Sequence, residues 1–208
     1  MRNASTLRNA LLVFGALSMA LLATLLILRA LPDPEHARRG EASGTPDIGA
    51  PFTLTAHTGE RFTSASLAGK WRLIYFGYTY CPDVCPAELA KMSRALERLE
   101  QSGRALDRLQ PLFISVDPAR DTPERLNGYL EAFHPKLIGL TGTADEIAGV
   151  ADAFAVHFRK APGGGEDAYL MDHTSMIFLM RPDGRFEDVF TARESAADIA
   201  AAVADRLG

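Results

Sequence analysis

The sequence has few cysteines and no block of basic residues. Its 208 residues include only two cysteines, Cys81 and Cys85, with three residues between them. A structural disulfide usually closes a longer loop, because the entropy that it removes from the unfolded chain grows with loop length. The 22 Lys and Arg residues nearly balance the 26 Asp and Glu residues. The composition therefore argues against a disulfide scaffold and against a nucleic-acid-binding protein. The close spacing of the two cysteines indicates a chemical role for the pair.

Charge is absent from residues 10–28, where leucine and alanine predominate. As a helix this stretch would extend about 28 Å, close to the hydrocarbon thickness of a bilayer. It predicts a transmembrane anchor behind a short tail, residues 1–9. A cleaved signal peptide is the competing interpretation, but the small-x-small pattern Ser18-Met19-Ala20 lies inside the apolar run rather than after it. Arginines flank the stretch on both sides, so the charge rule leaves its orientation open.

A tether is predicted between the anchor and the folded domain. Residues 29–50 contain Pro32, Pro34, Pro46 and three glycines, with little apolar periodicity. Such a composition is typical of a flexible linker. The remaining residues, 51–208, are long enough for one folded domain with a sizeable core.

Strand and helix patterns alternate along this domain. A hairpin is predicted within 52–63, followed by a central strand at Trp71–Gly77 and an amphipathic helix from Pro86 to about Gln101. Further strands are predicted at 112–116, 137–140, 156–159, 175–180 and 185–190, and further helices at 123–133, 144–154 and 195–207. Mixed strands flanked by helices indicate an α/β sandwich.

The cysteine pair lies where a strand gives way to a helix. A helix N-terminus favours the thiolate form, which is both the nucleophile and the metal ligand. Redox-active pairs normally have two intervening residues, whereas Cys81 and Cys85 have three. A disulfide stays possible across this wider loop, but the spacing accommodates two thiolates on one soft ion more easily, which favours Cu(I) or Zn(II).

A metal site needs at least one further ligand, and histidine is the natural candidate. His36 lies in the tether, while His57 and His134 are expected to be solvated and His157 to be packed or exposed in a strand. His173 follows a glycine-rich segment and precedes a strand. Spacing leaves two interpretations of it open: a third ligand, or a loop histidine held by Asp172. Methionine is a possible soft donor, but core positions are predicted for Met92, Met171 and Met176.

Several segments resemble the Sco (SenC/PrrC) family of copper chaperones for cytochrome c oxidase, with the cysteine segment as the most characteristic. The matching segments occur in the family's order and cover nearly everything from about residue 48 onward. They are Tyr75–Pro86, Val116–Pro123, Phe133–Pro135, Ile138–Thr143, Asp172–Ser175 and Arg181–Phe186.

The resemblance implies a thioredoxin-like fold and one copper ion, Cu(I) or Cu(II), bound by Cys81, Cys85 and His173. It implies copper received from an upstream donor and delivered to the Cu(A) centre of oxidase subunit II. It also implies a single-pass inner-membrane protein whose soluble domain faces the periplasm, or the intermembrane space in a mitochondrion.

Two other functions use the same thiols. A thiol-disulfide oxidoreductase would reduce the cysteines of subunit II before copper arrives, with Cys81 and Cys85 as its catalytic pair. A redox sensor would use the same two residues. The three-residue spacing and the presence of His173 favour the copper carrier over both. The Asp117–Pro123 segment is interpreted first as structural, with Asp121 or Thr122 capping a helix that begins at Pro123.

Overall fold

The computed structural model describes residues 48–163, 165 and 168–207. Nine strands and four α-helices occur in this part of the chain. The helices are α1 Val84–Gln101, α2 Pro123–Leu130, α3 Ala144–Ala153 and α4 Ala196–Leu207. The strands are β1 Thr53–Ala56, β2 Arg61–Thr63, β3 Trp71–Gly77, β4 Leu109–Ser115, β5 Ile138–Thr141, β6 Phe158–Lys160, β7 Met171–His173, β8 Ile177–Met180 and β9 Phe186–Phe190.

Seven of these strands form one mixed sheet in the order β2-β1-β5-β4-β3-β8-β9. The pairs β3–β4 and β4–β5 are parallel, and the other neighbours are antiparallel. Helical crossovers join the parallel strands, because such strands cannot be linked by a tight turn. Strands β6 and β7 pair only with each other, as a separate two-stranded hairpin.

The two central strands explain why the sheet forms where it does. All seven residues of β3 and all seven of β4 are buried. Central parallel strands are covered on both faces and therefore consist of continuous apolar runs, as both of these segments largely do. Helix α1 contributes its predicted apolar face to the core, and it packs against α4. This arrangement places the start of α1 at the carboxyl end of β3.

Most predicted elements are confirmed, with shifted ends. Helix α1 begins at Val84 rather than Pro86, so Cys85 lies within its first turn. Helix α2 ends at Leu130 rather than Phe133. The predicted cap is confirmed: the Thr122 hydroxyl accepts a hydrogen bond from Arg125 N, and Pro123 occupies the first turn. A short strand at Met171–His173 was not predicted, because a three-residue segment gives too little periodicity.

The part of the chain that the structure describes contains no candidate membrane span. Between residues 48 and 207, leaving out 164, 166 and 167, no helix is both long and apolar enough to span a bilayer. The predicted anchor, residues 10–28, lies outside the described residues.

Candidate metal centre

The cysteine loop connects β3 to α1, and Gly77 makes room for it. A Cβ at Gly77 would lie 2.8 Å from Cys85 Sγ, well inside van der Waals contact. Cys85 is fully buried, whereas Cys81 is partly exposed, and the two are not joined by a disulfide. The Cys85 backbone N–H donates a hydrogen bond to Cys81 Sγ at 3.4 Å. The first N–H groups of a helix have no carbonyl partner within it, so the sulfur satisfies one of them.

His173 reaches the cysteines from the separate hairpin. It ends β7, opposite Phe158 of β6. Its Nε2 lies 3.4 Å from Cys85 Sγ, although 88 positions separate the two residues in sequence. Asp172 does not hold the ring by a hydrogen bond; its carboxylate pairs with Arg159 across the hairpin at 2.9 Å. The interpretation of His173 as a loop histidine held by Asp172 is therefore wrong, because alternation along the strand points the two side chains to opposite faces.

A backbone carbonyl sets the tautomer of His173. The ring Nδ1 lies 3.0 Å from the carbonyl oxygen of Thr174. Because a carbonyl only accepts, Nδ1 carries the proton and Nε2 presents its lone pair toward Cys85. This is the form in which imidazole binds a metal, and it needs no tautomeric change when an ion arrives.

The three side chains are close enough to share one ion. The Sγ atoms of Cys81 and Cys85 and a ring nitrogen of His173 all lie within 4.8 Å of one another. Metal–ligand bonds of about 2.0–2.3 Å place the donors of a three-coordinate ion roughly 3.5–4 Å apart. Small side-chain rotations would therefore complete the shell. Two sulfurs and one imidazole are the donor set that soft and borderline ions such as copper prefer.

Aromatic rings enclose the buried side of this site. Tyr75 and Tyr78 contact the His173 ring edge-on, with centroids 6.3 and 5.8 Å away. The Tyr75 hydroxyl hydrogen-bonds to the hydroxyl of Ser175 at 3.2 Å. These two buried rings thus form the aromatic walls of the site and restrict the orientation of the imidazole.

Burial dominates the protonation states of the free site. It raises the pKa of the Cys85 thiol to about 12. It lowers the pKa of His173 below its ordinary value, so the imidazole is neutral at neutral pH. The expectation that the helix N-terminus lowers the pKa of this thiol is wrong for Cys85, because the loss of solvation outweighs the helix dipole. An incoming metal ion must therefore displace the proton of Cys85.

Alkylation of the metal-free protein would test this difference between the two thiols. At about pH 8, iodoacetamide is expected to modify Cys81 before Cys85, because Cys85 is buried and protonated. The rate at Cys85 should then rise about tenfold per pH unit up to about pH 11, as the thiolate fraction grows. Peptide mass spectrometry would resolve the two sites. Equal rates at the lower pH would contradict the burial of Cys85.

Apolar side chains are exposed near the site. The large hydrophobic residues that are exposed within the described part of the chain are Tyr80, Val84, Leu170 and Met176. Each lies within three positions of Cys81, Cys85 or His173 in sequence. The same residues correct one prediction: Met176 is 36% exposed rather than a core residue, whereas Met92 is fully buried as expected.

Among the described residues, the other histidines do not join the group formed by Cys81, Cys85 and His173. His157 is exposed, which is one of the two environments predicted for it. His134 is only 7% exposed and was wrongly expected to be solvated. Its backbone N–H donates to Ser93 Oγ, and its Nδ1 accepts from Lys136 N, so packing against α1 explains its burial. His57 is partly buried, and its Nδ1 accepts a hydrogen bond from Gly139 N. His36 lies outside the described residues.

Sequence patterns did not reveal a network of polar residues beside the site. Asp117 and Asp121 are 2% and 0% exposed. Their carboxylates accept hydrogen bonds from Tyr169 and Thr79, which are distant in sequence. The one signal in the sequence is that both residues lie in the segment that follows the buried strand β4. Side chains at the carboxyl end of such a strand commonly contribute to a binding site.

Comparisons with known proteins agree on one family. The family model described as SCO1/SenC matches residues 40–208. The mitochondrial SCO1 homolog of Homo sapiens is 46% identical over 164 residues, which cover 79% of this chain and 54% of that protein. The mitochondrial SCO2 homolog of Homo sapiens is 37% identical over 199 residues, covering 95% and 74%. The chain therefore spans about half of the first relative's length and about three quarters of the second's.

Solved structures agree with the sequence relatives. ScoI of Bradyrhizobium japonicum, determined with copper bound, has a TM-score of 0.69 and 44% identity, and the match covers 76% of this chain and 98% of that one. Yeast Sco1 with copper bound gives a TM-score of 0.71 and 39% identity, covering 78% and 89%. The predicted thioredoxin-like α/β architecture is thereby confirmed for the folded domain. The chain belongs to the SCO1/SenC family.

Proposed function

We propose that this protein is a membrane-anchored copper chaperone that holds one copper ion through Cys81, Cys85 and His173. The convergence of their three donor atoms within 4.8 Å is the observation that carries the proposal. Copper-bound relatives at 39% and 44% identity support copper as the ion. The resemblance to the Sco family supports delivery to the Cu(A) centre of cytochrome c oxidase subunit II, after loading by an upstream donor.

The shape of the site suits a carrier. Cys85 and the aromatic walls hold the ion from the buried side, while Cys81 is partly exposed. An incoming thiolate can therefore replace Cys81 first and the deeper ligands afterwards, so that copper passes by ligand exchange without release as a free ion. Exposed apolar side chains such as Val84 and Leu170 provide a surface that an acceptor protein can cover during transfer.

The proposed location follows from the same relatives and from the predicted anchor. Residues 10–28 would cross the inner membrane once, with the folded domain in the periplasm or, in a mitochondrion, in the intermembrane space. The human relatives are named as mitochondrial proteins, which is consistent with the second compartment.

A His173→Ala variant would test the ligand set. Imidazole is a harder ligand than thiolate, so its loss should weaken the binding of Cu(II) more than the binding of Cu(I). We expect Cu(II) affinity to fall by at least the roughly 10- to 100-fold that follows from loss of a supporting partner. Competition titrations of the full-length chain in detergent with both ions would measure the two changes.

His157→Ala is the matched control, because His157 is exposed on the same hairpin and should leave both affinities unchanged. Unchanged affinity for both ions in His173→Ala would count against His173 as a ligand, and equal losses would contradict the stronger effect on Cu(II). Insulin-reductase turnover measured on the same wild-type sample would distinguish the carrier from a thiol-disulfide oxidoreductase. One tightly bound copper with negligible turnover supports the carrier, whereas rapid turnover without stable copper binding supports the enzyme.

A further inference from the structure

A buried carboxylate connects the cysteine loop to the end of β4. Asp121 Oδ2 accepts hydrogen bonds from Thr79 N at 3.0 Å and from Ser115 Oγ at 2.6 Å. Its Oδ1 accepts from the Thr79 hydroxyl at 2.6 Å. Thr79 lies two positions before Cys81. The start of the cysteine loop is therefore held by a carboxylate in the β4–α2 segment.

A second carboxylate of the same segment holds the hairpin that carries His173. Asp117 Oδ1 accepts a hydrogen bond from the Tyr169 hydroxyl at 2.6 Å. Its Oδ2 accepts from Arg120 Nε at 2.6 Å. Tyr169 lies four positions before His173, immediately ahead of the β7 region. The Asp117 backbone N–H donates to Ser115 Oγ at 3.0 Å, so both carboxylates belong to one network.

Arg120 joins the two parts of this network through its aromatic neighbours. Its guanidinium carbon lies 3.5 Å from the Tyr169 ring centroid and 4.4 Å from that of Tyr80, the residue before Cys81. Cation–π contacts of this kind attract both rings toward the same cation. Arg125 adds a contact on the cysteine side, where its Nε donates to Thr79 Oγ1 at 3.1 Å.

We propose that residues 115–121, here called the aspartate loop, position the cysteine loop and the His173 hairpin relative to each other. Asp117 and Tyr169 are positioning residues in this proposal, and neither touches the ion. Strands β6 and β7 do not pair with the seven-stranded sheet, so side-chain contacts contribute to the distance between the hairpin and the cysteines. The inference rests on the proposed function, because it concerns the geometry of the copper site.

A Tyr169→Phe variant tests the proposal by removing one hydroxyl and keeping the ring over Arg120. Loss of a hydrogen bond to a buried carboxylate should let the hairpin move away from the cysteines. We expect Cu(II) affinity to fall about five- to tenfold. Cu(I) affinity should change by less than about twofold, because thiolates dominate its binding. The imidazole nitrogen coupling in the Cu(II) EPR spectrum should weaken in parallel.

Tyr129→Phe is the matched control, because the Tyr129 hydroxyl is buried and has no hydrogen-bond partner among the described residues. It should leave both affinities and the EPR spectrum unchanged. The proposal is overturned if Tyr169→Phe lowers only the melting temperature, or if it lowers the affinities for both ions equally. Copper binding by the wild-type chain is measured alongside. A wild type that binds no copper would refute the proposed function itself, whereas normal wild-type binding with an unaltered variant refutes only the positioning role.

Discussion

Replacing Cys85 by serine is expected to abolish tight copper binding. Cys85 is the central donor of the site, with its sulfur 3.4 Å from His173 Nε2 and its N–H bonded to Cys81 Sγ. A serine hydroxyl stays protonated at neutral pH and is a poor ligand for Cu(I). The loss should exceed the roughly 10- to 100-fold effect typical of removing a supporting residue. Titration of the full-length chain with Cu(I) against a competing chelator would measure it.

A Cys85→Ala variant separates the loss of a ligand from the effect of a buried hydroxyl. Cys85 is 0% exposed, so serine there buries a polar group whereas alanine leaves a small cavity. The two variants should therefore differ in thermal stability, yet both should lose copper. Retention of one tightly bound copper by either variant would mean that the ion is held elsewhere.

The largest effect on folding stability among our predictions is expected for Gly77→Ala. An added Cβ would lie 2.8 Å from Cys85 Sγ, 2.9 Å from Tyr75 Cε1 and 3.0 Å from Phe113 Cε2. All three belong to buried side chains, so none can yield without disturbing its neighbours. Overpacking of this kind costs about 1–3 kcal/mol. We expect urea unfolding of the metal-free chain to show this loss, and copper titration to show weaker binding because Cys85 is displaced.

Gly149→Ala is the matched control for this variant. A Cβ at Gly149 meets no atom within 4 Å, and the residue lies inside helix α3. Alanine is favoured over glycine there by roughly 0.5–1 kcal/mol, so the control should be slightly more stable than the wild type. If Gly77→Ala were as stable as Gly149→Ala, the close contact with the thiol would be refuted.

The fold was largely predictable because its central elements have strong periodicity. The continuous apolar run of β3 and the amphipathic pattern of α1 correspond to buried surfaces, which composition and spacing report directly. The ends were less predictable, as at α1, where Asp83 is the N-cap residue but its side chain makes no capping hydrogen bond. Short strands such as β7 carry almost no local pattern.

The site was predictable only in part, because its residues come from distant segments. Two cysteines close together at a strand–helix junction indicate reactive thiols without any tertiary information. His173 is different: a separate hairpin brings it to Cys85, and spacing alone left two interpretations open. Family resemblance supplied the prediction that His173 is the third ligand. The raised pKa of Cys85 was missed for a related reason, since it results from burial, which depends on tertiary packing.

The bond between Asp117 and Tyr169 could not be foreseen from either residue. It spans 52 positions, and nothing local distinguishes this tyrosine from the others. Carboxylates shortly after a strand are no more than a general indication of a polar cluster. The partners of that cluster depend on how the hairpin folds over the sheet edge.

The hairpin β6–β7 has its own two-stranded pairing, separate from the main sheet. In the proposed site the two sulfur donors thus lie at the junction of β3 and α1, whereas the nitrogen donor lies on the hairpin. Mutations in the hairpin can therefore adjust the preference between the two copper oxidation states while the core stays intact. Evolution can match the reduction potential of the bound ion to a new donor or acceptor without redesigning the fold.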